Sequence, residues 1–349
     1  VPGVGEVVAT LINAGNPTIF VHAAAMDLHG VELQPDVNGN AALLQRFEAM
    51  LVDDGKVVAT GKREDLLERA DGAHVVDGKG RTLLPGLIDA HGHVMGLGTT
   101  KRQADLTTSV ENEWLCLQLL RAFGLPVANA SMLDFAGRRV LCVERFDRQL
   151  HSSGTWIMRL PQEDFCQVHG LPHTRKYEAE GGPGLPDIAR ILVNSERGQQ
   201  DIATLLKAQL LFWMLAATDG HAKNFSIQLL PQGRYRLTPL YDVVSIWPIL
   251  GGGPNQLSWH KAKLAMAVSG RSKHYLLKDI QRRHFNAMAP RCGHGSSAEP
   301  LIEALLQRVP GAIAEVNAML PAGFPQRVAD SIFAGLQDSE ARLRQMPPA

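Results

Sequence analysis

The sequence predicts an α+β fold: a mostly helical C-terminal two-thirds that carries a β-hairpin, preceded by a β-rich N-terminal third. Three observations predict it. Short β-branched runs punctuated by Gly, Asn and Asp turns fill roughly the first hundred residues. An apolar helix near residues 200–217 then runs straight into a polar loop and a hairpin. Finally, the stretch after Ala298 repeats apolar positions at helical spacing.

With 45% hydrophobic and 20% charged content, 349 residues suffice for two or three domains with cores of their own. Lys plus Arg equals Asp plus Glu at 35 each, so no global field steers the chain toward nucleic acid or an anionic membrane. Neither is predicted as a direct partner. Cys116, Cys142, Cys166 and Cys292 form no CxxC pair and no dense framework, which points to the cytoplasm. The most apolar stretch, Leu205 to Ala217, is too short for a membrane span and contains Lys207 and Gln209. The start, Val1-Pro2-Gly3, lacks both Met and the pattern of a signal peptide, and reads as the edge of a fragment or an excerpt.

Residues 1–50 read as a strand from Glu6 to Ile12, a turn at Ala14-Gly15-Asn16-Pro17, a strand from Thr18 to Val21, and a helix from Asn40 to Met50 with Leu43, Leu44, Phe47 and Met50 on one face. By itself Gly15-Asn16-Pro17 is a turn with one residue at positive φ. VATLINAGNPTIFVHAA followed by DLHGVELQPDVN resembles the PrpF-type isomerases, which act on methylaconitate-like acids.

The texture changes at Leu51. VDDGKVVATG predicts a hairpin turning at Asp54-Gly55, followed by a short helix, EDLLERA, and a strand-turn, HVVDGKGRTLLPG. LIDAHGHVMG then places His91 and His93 at a strand end. A period of two puts both imidazoles on one side, where both can reach one divalent metal. Residues 51–107 resemble the opening of the amidohydrolase superfamily, whose HxH pair supplies two ligands. A hydrolytic site needs further ligands from later barrel strands, and the chain leaves that pattern after about Asp105. His91 and His93 therefore read as two solvent-accessible histidines, and a metal-dependent amidohydrolase is a function that would require ligands not evident downstream.

From residue 108 a third texture begins. Ser109 opens a helix bearing Trp114, Leu115, Leu119 and Phe123, with Asn112 and Glu113 placed for a capping arrangement. LPVANASMLDF and RRVLCVERFDR flank a turn at Gly137 as antiparallel strands. The helix from Gln200 to Ala217 enters Thr218-Asp219-Gly220-His221-Ala222-Lys223-Asn224, and a hairpin turning at Pro231-Gln232-Gly233 brings Asp242 to the end of its second strand. Helices are expected over Ala298–Val309, Gly311–Leu320 and Pro325–Met346.

Asp, four residues, Asn, a hairpin and a second Asp form the skeleton of phosphoryl-transfer chemistry: one carboxylate for the acceptor hydroxyl, and an amide oxygen with a carboxylate for metal ions on nucleotide phosphates. Each piece alone has a plainer reading. Asp219 could cap a helix-to-loop passage, Asp242 could satisfy a turn, and Glu144, Arg145, Asp147 and Arg148 could be a solvated charge cluster. Lys176-Tyr177 with the glycines at 181, 182 and 184 would be an ordinary loop.

ATDGHAKNFS, RLTPLYDVVS, VERFDR, RLPQEDFCQ and KYEAEGGPG, in this order, resemble the HipA-type serine/threonine kinases over residues 108–349. That resemblance implies Asp219 as catalytic base, Asn224 and Asp242 as metal ligands, and Glu144, Arg145 and Phe146 as a hinge meeting adenine. His221, Ala222, Lys223, Asn224, Tyr241 and Asp242 become neighbours of the nucleotide. It also implies ATP and Mg2+, a protein Ser/Thr substrate of which an aminoacyl-tRNA synthetase is one known type, and a small DNA-binding antitoxin partner. KYEAEGGPG falls where the family has an acceptor-side segment.

The chain departs from that family upstream. The family's N-terminal lobe carries a phosphate-gripping loop and a strand lysine, but this chain has the PrpF-like and amidohydrolase-like stretches in that place. The composition reads as a chimera with joins near Met50 and near Asp105-Leu106-Thr107. A lobe that docks an antitoxin without catalysis is thus the alternative to an active kinase.

Overall fold

The computed structural model describes residues 9–13, 17–21, 49–53, 56–61, 108–135, 138–253 and 256–348. The chain separates into two compact units, Val1–His93 and Val94–Ala349. In the first, β1 (Ala9–Asn13) pairs antiparallel with β2 (Pro17–Val21), Ala9 opposite Val21. β3 (Ala49–Asp53) pairs with β4 (Lys56–Gly61), with a register shift between Leu51 and Val52. The helix expected to reach Met50 is corrected at its end: Ala49 and Met50 lie in β3, opposite Gly61 and Thr60, because pairing with the β-branched run of β4 extends back past Leu51. The rest of that helix, EDLLERA, the following strand-turn, and His91 and His93 lie outside the described residues.

The second unit opens with α1 (Ser109–Ala122), whose Leu115, Leu117, Leu119 and Leu120 are buried all round. Its N-terminus is Thr108, with no side-chain cap. Asn112 and Glu113, expected to help cap it, are buried instead, drawn inward by long-range bonds described below. Two antiparallel hairpins follow: β5 (Ala130–Phe135) with β6 (Arg138–Val143), and β7 (Arg148–Leu150) with β8 (Ile157–Arg159). They leave Leu133, Leu150, Trp156 and Ile157 at least half exposed. β9 (Gln162–Asp164) leads into the short α2 (Phe165–Val168), which Asp164 caps by accepting from the Cys166 and Gln167 amides at 2.9 Å each.

After α3 (Leu185–Leu192) comes α4 (Gly198–Met214), the spine of the core. Leu205, Leu206, Leu210, Leu211, Phe212 and Trp213 are all buried, so this helix is apolar on nearly every side. Its buried C-terminal carbonyls need partners. Trp247 Nε1 and Ser339 Oγ both donate to the Met214 carbonyl at 3.0 Å, and Ser245 Oγ donates to that of Leu215 at 2.6 Å. Ala216 then turns left-handed at φ 49°, which stops the helix short of the expected Ala217 and aims the chain into the polar loop.

β10 (Ser226–Leu229) is the middle strand of a three-stranded sheet, flanked by β9 and β11 (Tyr235–Leu237). Asp242 lies beyond β11 and not at its end. The connecting residues run beside 126–128, where Leu240 N–H donates to Pro126 O and Ala128 N–H to Leu240 O, both at 2.8 Å. β12 (Lys263–Ser269) and β13 (Lys273–Leu276) form a further hairpin, and α5 (Arg282–Arg291) leads to the last two helices.

Those helices correct another expectation. The two helices expected between Ala298 and Leu320 are one, α6 (Glu299–Ala318), that continues through Pro310-Gly311. Proline removes the amide that would bond the carbonyl four residues back, that of Leu306. Arg344 Nη2, on α7 (Gln326–Gln345), donates to that carbonyl at 3.1 Å, while Leu306, Val309, Ala312 and Val316 keep one buried face across the proline. The cysteines are free thiols: Cys116, Cys166 and Cys292 buried, Cys142 exposed. Among the described residues no helix is long and apolar enough to cross a membrane.

Candidate active site

The loop after α4 folds back on itself within a few residues. The His221 amide donates to the Asp219 carbonyl at 2.8 Å, and a tight turn over Ala222–Asn224 follows. Asn224 closes it, since its Oδ1 accepts from the His221 amide at 3.0 Å. Gly220 is required here: a Cβ at that position would lie 2.4 Å from the Phe212 ring.

This turn brings the predicted residues into one cluster. Asp219 Oδ2 lies 3.9 Å from His221 Nε2, and Asn224 Nδ2 donates to Asp242 Oδ2 at 2.5 Å. His221, Ala222 and Asn224 are buried, whereas Asp219 keeps about a quarter of its side chain exposed. Asp242 itself is left-handed, at φ 57°, a conformation an Asp tolerates better than most side chains.

Three neighbours of this cluster come from distant parts of the chain. Asn112 clamps the segment after Asp242, its amide donating to Ser245 O at 2.8 Å and accepting from Ser245 N–H at 2.9 Å. Next to it, Glu113 is raised to about 8 by burial, then by the Asp242 carboxylate, against the opposing hydrogen bond from the Asp242 amide. Tyr177 Oη donates to Asp219 Oδ1 at 2.8 Å, and burial together with that carboxylate pushes its phenol well above the ordinary range, so it remains a donor. Its ring meets His221 edge-on at 5.4 Å.

Lys223 and Tyr241 tie the loop to its surroundings. Lys223 Nζ pairs with Asp164 Oδ2 at 2.8 Å, linking the loop to the cap of α2. Tyr241 Oη donates to the Lys223 carbonyl at 2.9 Å and lies 2.5 Å from Ser226 Oγ. Its ring centroid is 5.8 Å from that of Phe146, so the segment after β6 reaches the same cluster.

In that segment Glu144 accepts from Asn129 Nδ2 at 2.8 Å, and its own amide donates to Asn129 O at 2.8 Å. Arg145 forks both oxygens of Asp147, at 2.8 and 2.7 Å, and Arg148 pairs with the same carboxylate. Burial pushes Asp147 up, but the two guanidiniums outweigh it and hold the carboxyl below the usual range. Arg145, Asp147 and Arg148 thus form a half-buried network and not the solvated cluster that was the plainer reading, whereas Glu144 is exposed.

Among the described residues no three His, Cys, Asp or Glu side chains converge as a metal cage. The cluster sets the Asp242 carboxylate, a hard oxygen donor, against the nitrogen of the Asn224 carboxamide, whose oxygen accepts from the His221 amide. Tyr177, Asn112 and Glu113 were not identified from sequence as site residues. KYEAEGGPG was the one signal that pointed toward Tyr177, and the residues around Ser109 were read only as a helix start.

Residues 90–314 match the family described as the HipA-like C-terminal domain, and residues 1–75 match the PrpF protein family. The serine/threonine-protein kinase toxin HipA of Shewanella oneidensis is 30% identical over 228 residues, 61% of this chain and 49% of that protein. The 2-methyl-aconitate isomerase of the same organism is 50% identical over 50 residues, 14% of this chain and 13% of that one. Among solved structures, a chain of the Shewanella oneidensis complex of HipA, HipB and operator DNA is similar with a TM-score of 0.60 at 24% identity, covering 70% of this chain and 58% of that chain. The chain spans about half the length, or less, of these curated relatives.

Proposed function

Because the chain belongs to the HipA-like C-terminal domain family, we propose that residues 108–349 act as the catalytic lobe of an ATP- and Mg2+-dependent protein serine/threonine kinase. The observation that carries this reading is the continuous contact from Asp219 through His221 and Asn224 to Asp242. Asp219 Oδ1 is held by Tyr177, which leaves Oδ2 to take the acceptor's proton. In that step the Ser or Thr oxygen bonds to the γ-phosphorus, the bond to the ADP oxygen breaks, and its electron pair leaves on ADP.

Asn224, through a carboxamide oxygen that here accepts from the His221 amide, and the Asp242 carboxylate would hold magnesium, which when bound neutralises charge on the phosphates. The backbone of Glu144 to Phe146 would meet adenine, with Phe146 and Tyr241 as aromatic neighbours. His221, Ala222 and Lys223 shape the loop beneath the nucleotide. The solved relative was captured with HipB and operator DNA, which supports a small DNA-binding antitoxin as partner. An aminoacyl-tRNA synthetase is one candidate class of protein substrate, and the cytoplasm the compartment.

Residues 1–107 lack a glycine-rich nucleotide loop followed by a kinase-like strand lysine. Electrostatic groups of that kind are worth about a hundredfold to a thousandfold each in rate. Nucleotide binding in the high micromolar range or weaker is therefore expected, with turnover near the detection limit. The same gap favours the second reading, a non-catalytic lobe that docks the antitoxin. Calorimetry of Mg-ATP with the full chain and its Asp242→Asn variant separates them. Magnesium-dependent binding that the variant loses supports the kinase lobe, and no binding to either protein supports the docking module. A radiolabelled transfer assay with Asp219→Ala as blank then reads turnover.

A further inference from the structure

Lys176 belongs to a stretch pinned on both sides. Its carbonyl accepts from the Ala222 amide at 3.3 Å, directly over the turn that holds Asn224. The next residue, Tyr177, bonds Asp219, and the one after, Glu178, is a buried carboxylate that accepts from the Ala267 amide at 2.7 Å and pairs with Lys273 at 2.8 Å. Gly182 folds back so that its amide donates to the Tyr177 carbonyl at 2.9 Å, and a Cβ on Gly182 would lie 2.5 Å from Arg175 O. The backbone at Lys176 is therefore fixed against the catalytic turn.

The side chain is half-buried, yet among the described residues it forms no ion pair. Its Nζ lies 5.0 Å from the centre of the Tyr177 ring, a contact that holds the ammonium without neutralising it. Burial lowers its pKa, while the carboxylates of Asp219 and then Asp242 pull the other way. The ammonium thus feels both the acceptor-side and the metal-side carboxylate. Lys223, the neighbouring lysine of the site, has its charge taken by Asp164. A partly buried charge that no carboxylate pairs with directly is better satisfied when a ligand oxygen approaches it.

We propose that Lys176 is a phosphoryl-binding residue whose ammonium takes the oxygens of the transferring γ-phosphoryl group between Asp219 and Asp242. This rests on the kinase reading above, and it supplies from within the C-terminal lobe a cation that residues 1–107 do not present in the family's pattern. The ligand class is a polyphosphate terminus. A hydrogen bond to a charged group of this kind corresponds to about ten- to a hundredfold in affinity.

The test is calorimetry on the full chain and its Lys176→Met and Lys176→Arg variants, titrated with Mg-ATP, Mg-ADP and inorganic tripolyphosphate, with far-UV circular dichroism to verify folding. Lys176→Met is expected to weaken Mg-ATP about ten- to a hundredfold while leaving Mg-ADP nearly unchanged, and Lys176→Arg to retain most of the affinity. Should the Met variant not fold, Lys176→Gln replaces it. Equal loss of Mg-ATP and Mg-ADP would assign Lys176 a structural part and overturn the proposal, as would no loss of either. If the unaltered chain binds neither nucleotide, the kinase reading fails by itself and tripolyphosphate decides Lys176. Binding of tripolyphosphate that vanishes in the Met variant upholds the phosphoryl contact; binding that persists, or none to the unaltered chain, overturns it.

Discussion

Around the loop 219–224 of the second unit, side chains from α1, β9 and the 176–180 stretch all reach in to hold Asp219, Lys223 and the Asp242 segment. The hairpins β5–β6 and β7–β8, on either side of residues 144–146, are two-stranded and expose Leu133, Leu150, Trp156 and Ile157, although β5–β6 rests Ala130, Met132 and Leu141 on the core. Two-stranded hairpins are marginal structures without other packing. The difference teaches that this lobe fixes the Asp219–Asp242 cluster within its own core, while β7–β8, next to the segment proposed to meet adenine, is lightly supported. The first region is therefore expected to be coupled to global unfolding and this hairpin to open locally at lower free energy.

The largest expected effect tests the first half of that contrast. Trp213 is fully buried on α4, and its Nε1 donates to Leu277 O at 3.0 Å. Trp213→Ala should lower the unfolding free energy by about 3–5 kcal/mol in urea denaturation. A loss under about 1 kcal/mol would mean that α4 is not the spine its burial implies.

An intermediate effect comes from Glu113, whose carboxyl is raised from 4.5 to about 8. Between those values the folded chain retains a proton that the unfolded chain has released. Its contribution is therefore fully present below about pH 4.5 and is lost as pH rises toward 8, at a slope of up to about 1.4 kcal/mol per pH unit. Glu113→Gln should remove that slope, so the variant's stability relative to the unaltered protein increases between pH 5 and pH 8. Parallel stability curves for the two proteins would show that Glu113 ionises as it does in the unfolded chain.

The smallest effect belongs to the hairpins. Trp156 is 52% exposed and stacks on His151 at 4.6 Å, within the β7–β8 connection. Trp156→Ser should change the thermal midpoint by an amount equivalent to no more than about 0.5 kcal/mol. A loss of about 2 kcal/mol would place this hairpin in the same cooperative unit as α4 and erase the contrast.

What could be read in the sequence was local. Asp219, Asn224 and the hairpin up to Asp242 lie within one short span, and their spacing together with the family resemblance suggested one cluster. The β3–β4 turn and the apolar run of α4 were likewise legible from nearby patterns, though not the point where α4 ends. Contacts between distant segments left no such trace. Asn112 and Ser245 are 133 positions apart, and Tyr177 and Asp219 are 42 apart, with no periodicity joining either pair. Local rules also misled where a distant partner offsets them. Pro310 signals a helix break, but Arg344 satisfies the carbonyl it strands, and the buried face of α6 continues.

The placement of the thiols makes β6 observable. Burial pushes Cys116 and Cys292 up to about 12 and raises Cys166 as well, so these three remain protonated and shielded near neutral pH. Cys142 is exposed on β6, two positions before Glu144. A maleimide dye added at neutral pH should therefore attach at this one position without any substitution. Its emission would report on β6 and residues 144–146 in real time while a ligand is titrated into the same protein.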